Sequence, residues 1–240
     1  MTNKIDILAI GAHPDDVELS AGGTLAKHVK AGKKVAIVDL TQGELGSRGN
    51  IETRYEEAEN AGKILGITAR ENLKLADGFF TQDHESLIKL ITQIRHFQPE
   101  IVLANAIHDR HPDHGKASKF ISEACFLAGL RKIETTWEGK VQQAWRPKQV
   151  YHYIQDRYIQ PDFVIDVSDF VAIKFDAIRA YKTQFFNPES NEPQTPISGE
   201  DFFAFLEGRM RQYGREIGVE FAEGYTVERV PGVHLFDNLL

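Results

Sequence analysis

The chain reads as an α/β protein built on a mostly parallel sheet, and three observations predict it. Short apolar runs alternate with segments of helical period, the pattern of strands joined by crossover helices. The conspicuous polar clusters follow the ends of such runs, where open α/β sheets bind their ligands. The first run passes into GAHPDD rather than G-x-G-x-x-G, so a Rossmann-like topology is expected without a dinucleotide cofactor.

The strand candidates are IDILAI (5–10), VAIVDL (35–40), NLKLA (72–76), EIVLAN (100–105), QVYHYI (149–154) and DFVIDV (162–167). Gly22 and Gly23 fall inside a helix that follows the first of them, at a cost of about 1 kcal/mol each against alanine. Close helix–sheet packing or approach of a ligand would explain them. TRYEEAENAGKILG reads as a helix opened by a capping box, Thr53 with Glu56, and stopped by Gly66. HESLIKLITQIRHF repeats apolar residues at Leu87, Ile88, Ile91 and Ile94, and GKASKFISEACFLAGL does so at Ala117, Phe120, Ile121, Ala124 and Ala128. SDFVAIKFDAIRAYKTQF reads as one long helix, closed by Tyr181, Lys182 and Gln184. NPESNEPQTPISGED (187–201), rich in proline and serine, reads as a mobile surface loop or lid. There is no internal repeat, and the 240 residues are read as one domain, 1–240.

Bulk properties remove several function classes. The net charge is −7, against nucleic acid as the main partner, since phosphate binding needs a basic face. No segment reaches the roughly 20 apolar residues of a membrane span, and Asp6 interrupts a first apolar run too short for a signal peptide. The single cysteine, Cys125, sits on the apolar side of a helical pattern and reads as a core residue. A cytoplasmic protein is expected.

Chemistry concentrates in HPDD (13–16) and HDRHPDH (108–114), each after a strand. His13 and Asp16 are three apart, as are His111 and His114; with each proline in the first turn of a helix, such pairs share a face. Imidazoles with one carboxylate suit zinc, and three protein ligands leave a position for water, whose pKa zinc lowers to about 7. Asp15, beside the ligand, could then take the water's proton. On spacing alone His108 is as good a ligand as its neighbours. Each motif taken singly also reads as an ordinary helix start, with aspartates at the positive end of the dipole.

AHPDDVELSAGGTLA and HPDH resemble the PIG-L/LmbE family of zinc-dependent N-acetylglucosamine deacetylases, and the resemblance covers nearly the whole chain. It implies an LmbE-like fold and one Zn2+ per chain, with Fe2+ or another divalent ion able to use the same ligands. It makes His13, Asp16 and His114 the metal ligands and Asp15 the general base. His111 would stabilise the oxyanion or protonate the leaving amine, and Asp113 would orient His111. His108 becomes a loop residue with at most a substrate contact. TQGELGSRGNIETRYEEAENAGKILGI, IRAYKTQF and FAEGYTVER look most like the bacillithiol-biosynthesis branch, implying N-acetylglucosaminyl-malate as substrate. Homo-oligomers, hexamers included, occur among the resembling proteins.

Arg54 follows Thr53 in a first helical turn, where a cation opposes the dipole. Either it is exposed and paired with Glu52 or Glu57, or it turns to the site and grips an anionic group such as a malate carboxylate. Arg110 is a second candidate for that role, and Glu44 or Arg48, in the glycine-bearing loop GELGSRGN, for touching the sugar. His28, His84, His96, His152 and His234 have no ligand-like neighbours and read as surface or core residues. Two other classes stay open at this level. A metal-dependent phosphoesterase would need a second metal and more bridging carboxylates. A sugar-binding protein without activity would have no use for Asp15 or His111.

Overall fold

A computed structural model describes residues 4–233; His234 lies outside them. The strands are β1 (Ile7–Gly11), β2 (Val35–Thr41), β3 (Ala69–Leu75), β4 (Ile101–Ala104), the two-residue β5 (Thr136–Trp137) and β6 (Lys140–Val141), β7 (Gln149–Tyr153), β8 (Phe163–Asp166) and β9 (Ala222–Val227). The helices are α1 (Asp16–Lys30), α2 (Ile51–Leu65), α3 (His84–Phe97), α4 (Pro112–Ala128), α5 (Val171–Arg179) and α6 (Phe202–Glu216). Seven strands form one sheet in the order β3-β2-β1-β4-β7-β9-β8. The pairs from β3 to β7 are parallel, and β9 pairs antiparallel with both β7 and β8.

The expected mostly parallel α/β fold is what the chain adopts. Side chains of β1 alternate between two cores, as strand geometry requires. Ile7 and Ala9 join Val17, Leu25, Leu65 and Ile178 on the face covered by α1, α2, α5 and α6. Leu8 and Ile10 join Leu90, Ile94, Phe120 and Ile121 on the face covered by α3 and α4. Leu25 is fully buried, so Leu25→Ala would cost about 2–5 kcal/mol. Among the described residues no helix is long and apolar enough to cross a membrane.

Helix ends differ from the sequence reading in three places. α2 starts at Ile51 because Asn50 caps it, the Asn50 and Thr53 side chains each accepting from the other's backbone N–H; Thr53 is the third helical residue, not the cap. Its end at Gly66, with φ 73°, is as read. Pro112 opens α4, whereas Pro14 stands outside α1, which begins at Asp16 behind Asp15. The last helical period stops at Arg179. The N–H of Thr183 donates to Glu57 Oε1 at 2.8 Å instead of continuing the helix, and the Tyr181 hydroxyl donates to Glu18 at 3.0 Å.

The glycine pair of α1 has a packing cause. A Cβ on Gly22 would meet Lys174 Cγ of α5 at 3.2 Å, and one on Gly23 would meet Val167 Cβ at 2.9 Å. Across the same contact Glu223 of β9 accepts from the N–H groups of Gly23 and Thr24 and pairs with buried Lys174 at 2.6 Å. Segment 187–201 is tied down at Ser190 by Arg48 and at Glu192 by the N–H of Gly49.

Candidate active site

The site lies over the carboxyl ends of β1, β3, β4 and β7. After β1 the chain turns sharply, a Cβ on Gly11 being only 3.1 Å from the carbonyl oxygen of His13. Asp15 then adopts φ 119°, ψ −27°. Positive φ at a non-glycine residue costs on the order of 1–3 kcal/mol and persists where surrounding bonds enforce it. Here Arg54 of α2 enforces it, donating to Asp15 Oδ2 at 3.0 Å.

His13, Asp16 and His114 converge. Asp16 Oδ1 lies 3.1 Å from His114 Nε2 and Asp16 Oδ2 lies 3.6 Å from His13 Nδ1. The outer nitrogens are occupied: His13 Nε2 is 3.0 Å from Asp77 Oδ1 and His114 Nδ1 is 2.5 Å from Asp109 Oδ2. A carboxylate can only accept, so those outer nitrogens carry the protons. In the neutral rings the inner nitrogens, both beside Asp16, then keep the lone pairs that a metal ion would use. Asp16 is itself fixed, Oδ2 accepting from Asn105 Nδ2 and Oδ1 from Gln155 Nε2, both at 3.0 Å.

His111 caps α4 with its Nδ1, which accepts from the N–H of Asp113 at 3.3 Å. That places the ring proton on Nε2. His111 completes a second grouping, its ligating nitrogen lying within 4.8 Å of those of His13 and His114. The Asp113 carboxylate turns away from the His111 ring. It accepts from the N–H of Gly78 and from Lys116 Nζ, both at 2.8 Å, and lies 3.5 Å from His13 Nε2. Its local partner is therefore His13, not His111.

The electrostatics fit a cation. Asp15, Asp16, Asp77, Asp109 and Asp113 crowd around three imidazoles, with Arg54 and Lys116 as close counter-charges. Burial, only partly offset by Arg54, pushes Asp15 up to about 7. Burial disfavours the His114 cation, but Asp16 and Asp109 outweigh it and raise its pKa to about 9. His13 is likewise held well above its ordinary value, the bonds to Asp113, Asp16 and Asp77 outweighing burial. The carboxylates thus favour positive charge at the two inner nitrogens, where a bound metal ion would take the place of protons. Burial and the neighbouring His13 and His114 lower His111, keeping its ring neutral.

A cavity of about 340 Å³ opens over these groups. Asp15, Asp16, His13, His111 and His114 form its floor, Leu19, Ile197, Phe202, Phe205 and Leu206 an apolar wall, and Arg54, Arg110, Arg209 and Gln184 reach its edge. Arg54 is buried, its Nη1 and Nη2 directed to the Gly43 carbonyl, Asp15 and Gln184 Oε1. Arg110 pairs with Asp156 at 2.9 Å. Glu44 and Arg48 are outside the lining. Glu44 accepts from the N–H of Asp77, and Arg48 bonds to Ser190. His108 faces Arg157 at 3.1 Å and also stands apart. Asp77, Asp109, Asn105 and Gln155 are absent from the sequence reading, although all but Asp109 directly follow or close an apolar run.

A family model described as PIG-L, GlcNAc-PI de-N-acetylase, matches residues 8–125. The diacetylchitobiose deacetylase of Thermococcus kodakarensis is 28% identical over 247 residues, covering 95% of this chain and 84% of that protein. The 4-oxalmesaconate hydratase of Pseudomonas putida is 28% identical over 199 residues, covering 76% and 75%. In three dimensions, the conserved protein TT1542 from Thermus thermophilus superposes with a TM-score of 0.85 at 33% identity, over 97% of this chain and 98% of that one. Fold, site and relatives together define an enzyme of the metal-dependent N-deacetylase class. Within it, the chain belongs to the PIG-L family.

Proposed function

We propose that the protein is a zinc-dependent deacetylase of a 2-acetamido sugar, with N-acetylglucosaminyl-malate as its substrate. The observation that carries the chemistry is the pair of inner imidazole nitrogens, with Asp16 between them and Asp15 alongside. His13 Nδ1, Asp16 and His114 Nε2 would hold the ion, a donor set with an open position that suits catalytic zinc, while Fe2+ and other divalent ions accept the same ligands. Bound there, the ion supplies Lewis acidity, bringing the pKa of water to about 7.

The chain's own residues do the rest. Asp15 accepts the proton of the water that adds to the acetamide carbonyl. His111, with its proton on Nε2, donates to the developing oxyanion. The C–N bond then breaks as the amine takes from Asp15 the proton that Asp15 accepted from water, giving acetate and a free glucosamine derivative. Arg54 holds Asp15 in its strained turn, with its charge balanced. The malate assignment rests on the similarity of residues 41–67, 178–185 and 221–229 to the bacillithiol branch, and on arginines at the cavity edge.

The test is acetate release by zinc-loaded protein from N-acetylglucosaminyl-malate and from free N-acetylglucosamine. Preference for the conjugate is expected. Equal turnover would keep the deacetylase and remove malate from the assignment. No acetate from either, with one zinc bound per chain, would overturn the reading in favour of a chemistry such as that of the hydratase relative.

A further inference from the structure

The cavity has three arginines, and they are not equivalent. Arg54 is neutralised by Asp15 and Arg110 by Asp156. Arg209 has no carboxylate within ion-pair distance among the described residues. Its one hydrogen bond runs from Nη2 to the backbone carbonyl of Asp156, and its guanidinium lies over the Phe205 ring, 4.6 Å from the centroid. It is nonetheless largely shielded from water, and burial lowers its pKa below the ordinary arginine value.

Its position follows from the period of α6. Phe202, Phe205, Leu206 and Arg209, at spacings of three, four and seven, share one helix face and all line the cavity. An apolar stripe therefore ends in a cation at the opening. Asp156 links the two outer arginines: its side chain takes Arg110 Nε and its carbonyl takes Arg209. The preceding residue, Gln155, holds Asp16. The two guanidiniums are thus anchored one residue along the chain from a group that fixes a metal ligand. Against them stand the carboxylate of Asp156 and, farther in, that of Asp109. Asp109 is already bonded to His114 and the N–H of Arg157, so this wall carries a net positive charge above an acidic floor. Of the five N–H donors of Arg209, only one is committed to protein, and Arg110 commits only its Nε.

We propose that Arg209, together with Arg110, forms the carboxylate subsite of the cavity and selects substrates with an anionic aglycone. A partly desolvated cation with open donors is restored to balance by a carboxylate, which a guanidinium grips in bidentate fashion. The sugar then extends from this anchor across the stripe of α6 toward Asp15 and His111. Arg209 is a specificity-determining residue; it touches the aglycone and not the acetamide. This inference rests on the deacetylase reading above for its substrate.

The experiment compares zinc-loaded wild type with Arg209→Met, Arg209→Gln and Arg209→Lys on N-acetylglucosaminyl-malate and on uncharged methyl N-acetylglucosaminide. For Arg209→Met, kcat/KM on the conjugate is expected to fall by about 10- to 150-fold, the worth of one hydrogen bond to a charged group. The fall should lie mainly in KM and exceed the fall on the neutral glycoside at least about tenfold. Arg209→Lys should recover part of it. Equal losses on both substrates, or none, would overturn the proposal and leave Arg209 a brace for Asp156. Should wild type turn over neither substrate, the deacetylase reading fails separately. Calorimetric titration with L-malate at low salt then decides the subsite: binding weakened about tenfold or more by Arg209→Met supports it, and equal binding sinks it. Arg209→Gln serves the same comparisons should the Met variant not fold.

Discussion

Arg54 on α2 and Asp15 ahead of α1 are joined at 3.0 Å, both nearly removed from solvent. The contact ties a carboxylate in a left-handed backbone conformation to a cation 39 residues later in the chain. Neither partner is stable there alone. Without Arg54 the buried Asp15 lacks its main counter-charge, and without Asp15 a buried guanidinium is left with only neutral acceptors, Gly43 O and Gln184 Oε1. The strain is thus located at the group proposed to move the proton, as expected where surrounding structure over-determines a functional residue.

Asp15→Asn tests the base directly. Asparagine tolerates positive φ and can still accept from Arg54, so the fold should survive, with a melting temperature lowered by loss of the counter-charge to buried Arg54. Loss of the proton acceptor should reduce kcat by about 10²–10⁴-fold at full zinc occupancy. A kcat within about threefold of wild type, well short of that range, would remove Asp15 from the role.

Arg54→Met separates two functions for the arginine. If it serves Asp15, kcat should fall alike for the malate conjugate and for a neutral glycoside. Stability should fall by about 3–5 kcal/mol, or less where Asp15 takes up a proton to avoid an unpaired charge. A loss confined to the KM of the conjugate would instead show Arg54 gripping the substrate. Steady-state kinetics on the two substrates, with a denaturant melt, distinguish these outcomes.

The carboxylates behind the imidazoles should control metal affinity. Asp77 and Asp109 fix the protons of His13 and His114 on the outer nitrogens, leaving lone pairs inward. Asp77→Asn and Asp109→Asn should each weaken zinc binding by about 10–100-fold, measured by competition with a chelator. An affinity equal to wild type in both would mean that other contacts set the ring tautomers.

How much of this is legible in the sequence depends on the range of the interaction. His13, Asp15, Asp16, His111 and His114 stand in two short motifs at strand ends, and the parallel sheet brings those ends together. The partners that orient them come from other strand ends. Asp77, Asn105 and Gln155 each look like a routine polar stop to an apolar run until the sheet order β3-β2-β1-β4-β7 sets them side by side. Asp109 lies inside a motif whose spacing points to the histidines alone. α6 is missing from the helix candidates above although its period is readable: Phe202, Leu206, Met210 and Tyr213 recur at helical spacing and are buried. β9 is not, because AEGYTV has a buried glutamate, Glu223, whose partners Lys174 and the N–H groups of α1 exist only in the fold.

Gly23 provides a test that does not involve the chemistry. In an isolated helix Gly→Ala gains about 1 kcal/mol, so propensity alone predicts that Gly23→Ala stabilises the protein. The fold predicts the opposite. The new methyl would sit 2.9 Å from Val167 Cβ and 3.2 Å from Glu223 Oε1, forcing α1 away from the segment after β8 and loosening the Lys174–Glu223 pair. Overpacking of this kind costs about 1–3 kcal/mol, which outweighs the propensity gain. Gly208 of α6, where an added Cβ meets nothing within 4 Å, is the control, and Gly208→Ala should raise the melting temperature. Thermal melts of the two variants should therefore shift in opposite directions. If Gly23→Ala were as stabilising as Gly208→Ala, the close approach of α1 to Val167 could not be the reason for the glycine.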